Sequence, residues 1–307
     1  MAIASEHKKI ATSGFTAVQP GAGRGRSLRG IPERGRAGPK HRAVRPTSSE
    51  KSPRRLITHT WILTKRLLRR WSRNRASLLE SLMMPVALLV TLNIVLGDAV
   101  RQVTGHNALY GIVPLIAMVG AVSGSMVGGV SLMGERTGGL LSRLWVLPVH
   151  RASGLLSRLV ADVIRIWVTT AVIMCAGLVL GFRFRQGFLA SVAWLFVPAS
   201  FGLAFTIVVI TVALYAANTV VVEATEIIWG SLMFFSSGFV PVDQYPSWLQ
   251  PVVRNQPMSN SVEVMRGLSL GGPVRAPMVE MLVWSLGIAA ACAIPMAIGY
   301  RKASTRG

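Results

Sequence analysis

Six apolar runs dominate the chain: Leu78–Gly97, Leu109–Met133, Leu159–Gly181, Val192–Tyr215, Glu226–Val242 and Met278–Tyr300. A bilayer core of roughly 30 Å takes about 20 apolar residues per helix, so five of them have spanning length. The fifth is shorter and runs into Pro241. In hydrocarbon every backbone N–H and C=O must find a partner inside the segment, which leaves helices as the form for such runs. The expectation is an all-α polytopic membrane protein with six transmembrane helices. A composition of 51% hydrophobic and 15% charged residues over 307 positions agrees with that class.

Charge fixes the expected orientation. With the amino terminus inside, the inner segments hold Arg54–Arg75 with eight Lys/Arg, then Arg136, Arg143, Arg151 and Arg158, then none over 216–225, then Arg301, Lys302 and Arg306. The outer loops hold Arg101, Arg183, Arg185, Arg254, Arg266 and Arg275. Cations collect on the cytoplasmic side, so the split of 15 to six puts both termini in the cytoplasm and makes 241–276 an extracellular element. The loop holding Glu223 and no cation runs against the trend.

Residues 1–53 carry 11 Lys/Arg, three Glu and one aromatic, Phe15. That composition offers too little apolar area to fold, and it reads either as a disordered basic leader or as the product of a start site set too far upstream. No base-reading motif accompanies it, which argues against nucleic acid. No early apolar segment marks a secretory signal. Residues 54–76 read as an interfacial amphipathic helix, with Ile57, Trp61, Leu68 and Trp71 on one side and Lys65, Arg66, Arg69, Arg70 and Arg73 mostly on others. A basic linker with chance periodicity fits the same residues. The remaining 77–303 form the six-span domain.

Catalytic machinery is missing from the pattern. There is no GxxxxGK[ST], HExxH, CxxC or GxSxG, and Cys175 and Cys292 lie inside apolar runs. The chain is therefore expected to be no enzyme and to need no cofactor or metal. Gly120, Gly124 and Gly128 recur every four residues, with Gly129 following, and read as a helix-packing face. Arg158, Asp162 and Arg165 can pair along one helical face, as an intramembrane charge clamp or as a substrate contact. Glu223 and Glu226 open the fifth run and are the carboxylates a proton-coupled transporter would use.

Two segments go further. GERTGGLLSRLWVLPVHRASG, Gly134–Gly154, resembles the cytoplasmic loop of ABC-2-type permeases: adjacent acid and arginine (Glu135, Arg136), glycine (Gly138 or Gly139), a helical stretch Leu140 to Val146, then Pro148 and Val149. FFSSGFVPVDQYPSWLQPVVRNQPMSNSVEVMRGL, Phe234–Leu268, resembles the family's extracellular element through Pro241, Pro246, Trp248, Asn255, Pro257, Met265 and Arg266. The likeness covers about Ile57 to Arg306 and is strongest to the daunorubicin-resistance branch.

The resemblance implies a permease subunit working with a separate DrrA-like ATPase and a DrrB-like second permease, or a second copy of itself. It implies anthracycline-type drugs or complex envelope lipids such as phthiocerol dimycocerosate as cargo. It makes 134–158 the coupling loop, with Glu135, Arg136, Gly139, Leu140, Leu141, Arg143, Leu144, Trp145, Pro148 and His150 facing the ATPase. His150 reads as an interfacial residue or a pH sensor. Ser123, Ser125, Ser231, Phe234, Phe235 and Ser236 form an expected wall of the translocation path, unless their hydroxyls bond back to their own helices. Two competing classes stay open on sequence alone: a proton-coupled secondary transporter, and a membrane scaffold recruiting lipid-synthesis enzymes through the leader.

Overall fold

The structure, a computed structural model, describes residues 53–105, 107–139 and 152–305. Those residues are helical, with no strand among them. Helix α1 (Pro53–Arg73) is followed after Asn74 by α2 (Arg75–Thr104), α3 (Leu109–Thr137), α4 (Ser153–Val179), α5 (Gly187–Tyr215) and α6 (Thr219–Phe234). A 3-10 turn (Val242–Gln244) leads to α7 (Gln250–Asn255), α8 (Pro257–Leu270) and α9 (Arg275–Thr305).

Five helices, α2, α3, α4, α5 and α9, are long and apolar enough to cross a bilayer. The fifth run behaves differently from expectation. Its helix begins at Thr219, before both glutamates, and stops at Phe234, well short of Val242. Extended backbone at Asn218 starts it, and Glu223 stays exposed near that start, where a charge does not need to enter hydrocarbon. At the other end, the Tyr245 hydroxyl donates to the carbonyls of Phe234 and Ser236, both at 3.2 Å, and Gln256 Nε2 donates to the carbonyl of Phe235. These bonds replace the helix's own and turn the chain inward. Partial burial raises the Tyr245 hydroxyl above its ordinary value, so it keeps the proton it donates.

Inside the bundle α3 is central. It packs on α2, α4, α5, α6 and α8, and its largest interface is with α5. Burying apolar side chains is no driving force between helices already in lipid, so the contacts depend on close approach of backbones. The glycine repeat supplies it unevenly. A Cβ at Gly120 would stand 2.8 Å from Thr169 and 2.9 Å from Ile173 of α4, and one at Gly129 would overlap Val209 of α5. Gly124, in the same repeat, has nothing within 4 Å. A hydroxyl pair, Ser125 Oγ to Thr206 Oγ1 at 2.7 Å, joins α3 to α5 in the buried interior.

The expected extracellular element is not a surface loop throughout. Met258, Val262, Val264 and Met265 of α8 are buried, and α8 packs against α3, α5 and α9. At the opposite end, α1 lies on α4, with Thr60 and Thr64 buried and the Thr64 hydroxyl donating to the carbonyl of Ser157 at 3.2 Å. The apolar stripe read from sequence is divided by this contact. Trp71 and Leu68 are partly covered, while Ile57 and Trp61 are exposed.

Gly129→Ala is expected to destabilise the chain by about 1–3 kcal/mol, because β-branched, fully buried Val209 cannot move aside. Gly124→Ala is expected to be neutral or stabilising, since it meets no neighbour and gains helix propensity. Thermal unfolding of the two variants in detergent checks the contrast.

Candidate functional site

The end of the bundle that carries α1 holds an ion network. Glu135, near the end of α3, pairs with Arg158 in the second turn of α4, and its other oxygen receives Arg70 Nη1 of α1 at 3.2 Å. The Glu135 and Arg158 side chains are nearly buried, at 11% and 10% exposure, while Arg70 is 66% exposed. One carboxylate thus ties three helices. The i,i+4 spacing makes Asp162 the natural partner of Arg158, yet that guanidinium crosses to Glu135, and Asp162 takes Arg165 one turn on. Gly128 of α3 makes room for the second pair: a Cβ there would stand 3.0 Å from Arg165 Nη2 and 3.2 Å from Asp162 Oδ2. Tyr300 of α9 lies over Gly154 and in the field of both Arg158 and Glu135.

Arg136 faces the other way. Its Nη1 donates to the carbonyls of Ala213 (3.2 Å) and Ala216 (2.9 Å), closing the end of α5, where a cation meets the negative pole of the helix. Gly138 and Gly139 finish α3, and Gly139 adopts φ +69, the left-handed conformation that costs glycine nothing. Of the expected coupling residues, Glu135, Arg136 and Gly139 form the root of the loop. Leu140, Leu141, Arg143, Leu144, Trp145, Pro148 and His150 lie outside the described residues.

Two cavities flank the network. One of about 150 Å³ is walled by Arg70, Trp71, Gly128, Arg158, Asp162 and Arg165, with Val127 and Ser131 also facing it. The second, about 470 Å³, is a cleft between α2 and α3 lined by Met84, Pro85, Leu88, Val119, Met126 and Val130, and it shares Arg70, Val127 and Ser131 with the first.

The expected path residues do not converge. Ser123 lines the α2–α3 cleft, Ser125 sits in the α3–α5 contact, Ser236 is buried in the turn after α6, and Ser231, Phe234 and Phe235 are on the exposed side of α6 and its end. All four hydroxyls donate to carbonyls of their own segments: Gly120, Ala121, Ile227 and Met233. Sequence reasoning missed Arg70 and Gly128 as parts of the network. Eight cations crowd Arg54–Arg75, and no spacing singles out the one that reaches a carboxylate 65 residues away.

Five helices of spanning length packed through glycines around α3, with buried charge pairs at one end, define a polytopic all-α membrane protein. The chain belongs to the ABC-2 type transporter family, which residues 58–270 match. It is 50% identical over 262 residues to a probable doxorubicin resistance ABC transporter permease protein, DrrC, of Mycobacterium tuberculosis, covering 85% of this chain and 95% of that one. It is 28% identical over 216 residues to the daunorubicin resistance permease DrrB1 of Streptomyces coeruleorubidus, covering 70% and 75%. The putative transport permease ycf38 of Cyanophora paradoxa is 26% identical over 218 residues, covering 69% and 74%.

Glu135→Gln is expected to cost about 3–5 kcal/mol, because it strands Arg158 without a counter-charge in a buried position. Arg70→Gln should cost no more than about 1 kcal/mol, being an exposed pair. Combining Glu135→Gln with Arg158→Gln should recover part of the loss, and chemical unfolding of the three variants measures the coupling.

Proposed function

We propose that this chain is the membrane-spanning subunit of an exporter of hydrophobic compounds, energised by ATP hydrolysis on a separate subunit and paired with a second permease chain or another copy of itself. The observation that carries the reading is the 50% identity, over 85% of this chain and 95% of the relative, to a permease named for doxorubicin resistance. Anthracycline-type drugs are one cargo class that follows; envelope lipids of the phthiocerol dimycocerosate type are another, sharing an apolar body that an apolar bundle can accommodate.

The end bearing α1 faces the cytoplasm under this reading, because cations accumulate there, and the exposed Ile57 and Trp61 of α1 suit contact with the headgroup layer. Residues 134–158 receive force from the ATPase. Glu135 and Arg136 at the root of the loop support that role: one grips α4 through Arg158, the other holds the end of α5. A displacement of the loop therefore loads two spans at once, which is the switching of access states a transporter needs.

Single cysteines across Leu140–His150 are expected to crosslink to the ATPase subunit, most strongly at Leu144 or Trp145. A scan with no crosslink anywhere sinks the coupling role. In vesicles, ATP-dependent efflux of doxorubicin should require both subunits. Transport by this chain alone that is lost in Glu223→Gln or Glu226→Gln would instead establish the proton-coupled alternative.

A further inference from the structure

The charge network and the apolar cleft are neighbours, and together they have the shape of an amphiphile. Three guanidiniums, Arg70, Arg158 and Arg165, meet two carboxylates, Glu135 and Asp162, among the described side chains of this network. One positive charge is left over. Arg165 Nε is moreover a buried donor with no acceptor. With Glu135 answering Arg158 and Asp162 answering Arg165, the surplus sits on exposed Arg70 at the rim of the cavity, while at 1.5 Å per residue Arg158 stands about 8 Å and Arg165 about 18 Å along α4 from its first residue. Nearly buried Arg165 is the member for which a further acceptor matters most, because charge inside a span is expensive until its donors are met.

The 150 Å³ cavity between these arginines leads, across Arg70, Val127 and Ser131, to the 470 Å³ cleft of α2 and α3. That cleft is walled mainly by methionine, valine, leucine and proline, with Ser81, Ser123 and Ser131 among its lining, and its lip residues Met84 and Val130 are exposed on the surface of the bundle. Val119 to Ser131 measures about 18 Å along α3, comparable to one leaflet of a roughly 30 Å core.

The geometry points to a binding site for an anionic phospholipid, its phosphate held by Arg70 and Arg165 and one acyl chain lying in the α2–α3 cleft. A guanidinium presents several donors in a plane and suits phosphate oxygens. Arg70 contacts Glu135 through a single nitrogen and is mostly exposed, so it can turn to a phosphate without stranding the Glu135–Arg158 pair. The cleft distinguishes a lipid from free phosphate, which would gain nothing from it. The bound lipid would brace α1 against α2, α3 and α4 at their common end. This inference rests on the membrane-surface placement of α1 in the reading above, but it needs no ATPase, so either can fail alone.

The test uses the full-length chain in nanodiscs of phosphatidylglycerol and phosphatidylcholine in equal amounts, released into detergent and weighed intact with its bound lipids. Phosphatidylglycerol should be retained in preference to phosphatidylcholine, and millimolar inorganic phosphate should not displace it. Arg70→Gln should weaken retention about tenfold, the worth of one charge-assisted hydrogen bond. Arg73→Gln, on the exposed face of the same helix and outside the cavity, should leave it unchanged. Val130→Trp, which fills the cleft at its exposed lip and leaves every guanidinium in place, should abolish retention. Equal retention of the two lipids, equal loss in Arg70→Gln and Arg73→Gln, full retention in Val130→Trp, or displacement by phosphate would each overturn the proposal.

Discussion

Helix α3 is the member against which the rest is assembled, and its small residues set how closely the others come. Lipid offers no hydrophobic reward for helix association, so van der Waals contact at Gly120 and Gly129 and the Ser125–Thr206 hydroxyl pair must hold the centre. The same helix ends in Glu135 and Arg136, which reach outward to α1, α4 and α5. Packing along the helix and electrostatics at its end thus act on the same neighbours. Close backbone approach at Gly128 is also what admits the Asp162–Arg165 pair beside α3.

The long helices were legible because bilayer thickness leaves little freedom: runs of about 20 apolar residues have one stable form. Four of the five long helices enclose the runs read for them, while α4 stops at Val179, two residues before the end of its run at Gly181, and the helices exceed the runs mainly where polar residues extend a helix beyond hydrocarbon, as Arg75 and Thr104 do for α2. The fifth run was misplaced because Glu223 and Glu226 looked like a boundary, whereas a helix can carry an exposed acid near its end. Burial of α8 was hidden for a different reason. Ser259, Asn260, Ser261 and Glu263 give it the composition of a loop, and only the fold provides partners such as Ser237 and Gln256 for Ser259.

Of the candidate site, the sequence identified the charged residues and the Asp162–Arg165 spacing, but not that Arg158 leaves its own helix for Glu135. Arg158 and Asp162 satisfy the helical spacing rule, yet a stronger arrangement exists when Arg158 answers Glu135 and Arg165 answers Asp162, since each buried carboxylate then has its own guanidinium. Choosing between the two required knowing that α3 and α4 run side by side. The small cavity beside these pairs and the apolar cleft next to it place contrasting environments within one helix turn of each other, a juxtaposition no linear pattern announces.

Arg136 gives the bundle a mechanical property. By holding the last carbonyls of α5, it fastens α5 to α3 at one end, while the Val209–Gly129 contact and the Ser125–Thr206 pair fasten them further along. Two long helices riveted at three heights resist shear and bending and behave as one stiff beam. Compliance then belongs to α2 and α6, whose flanks carry exposed apolar side chains such as Ile94 and Ile227, whereas α9 is held to α5 through Tyr215, whose hydroxyl donates to the Pro295 carbonyl at 2.9 Å. The stiffness of that pair and the looser fit of α2 and α6 thus divide the bundle into a rigid centre and a more yielding flank.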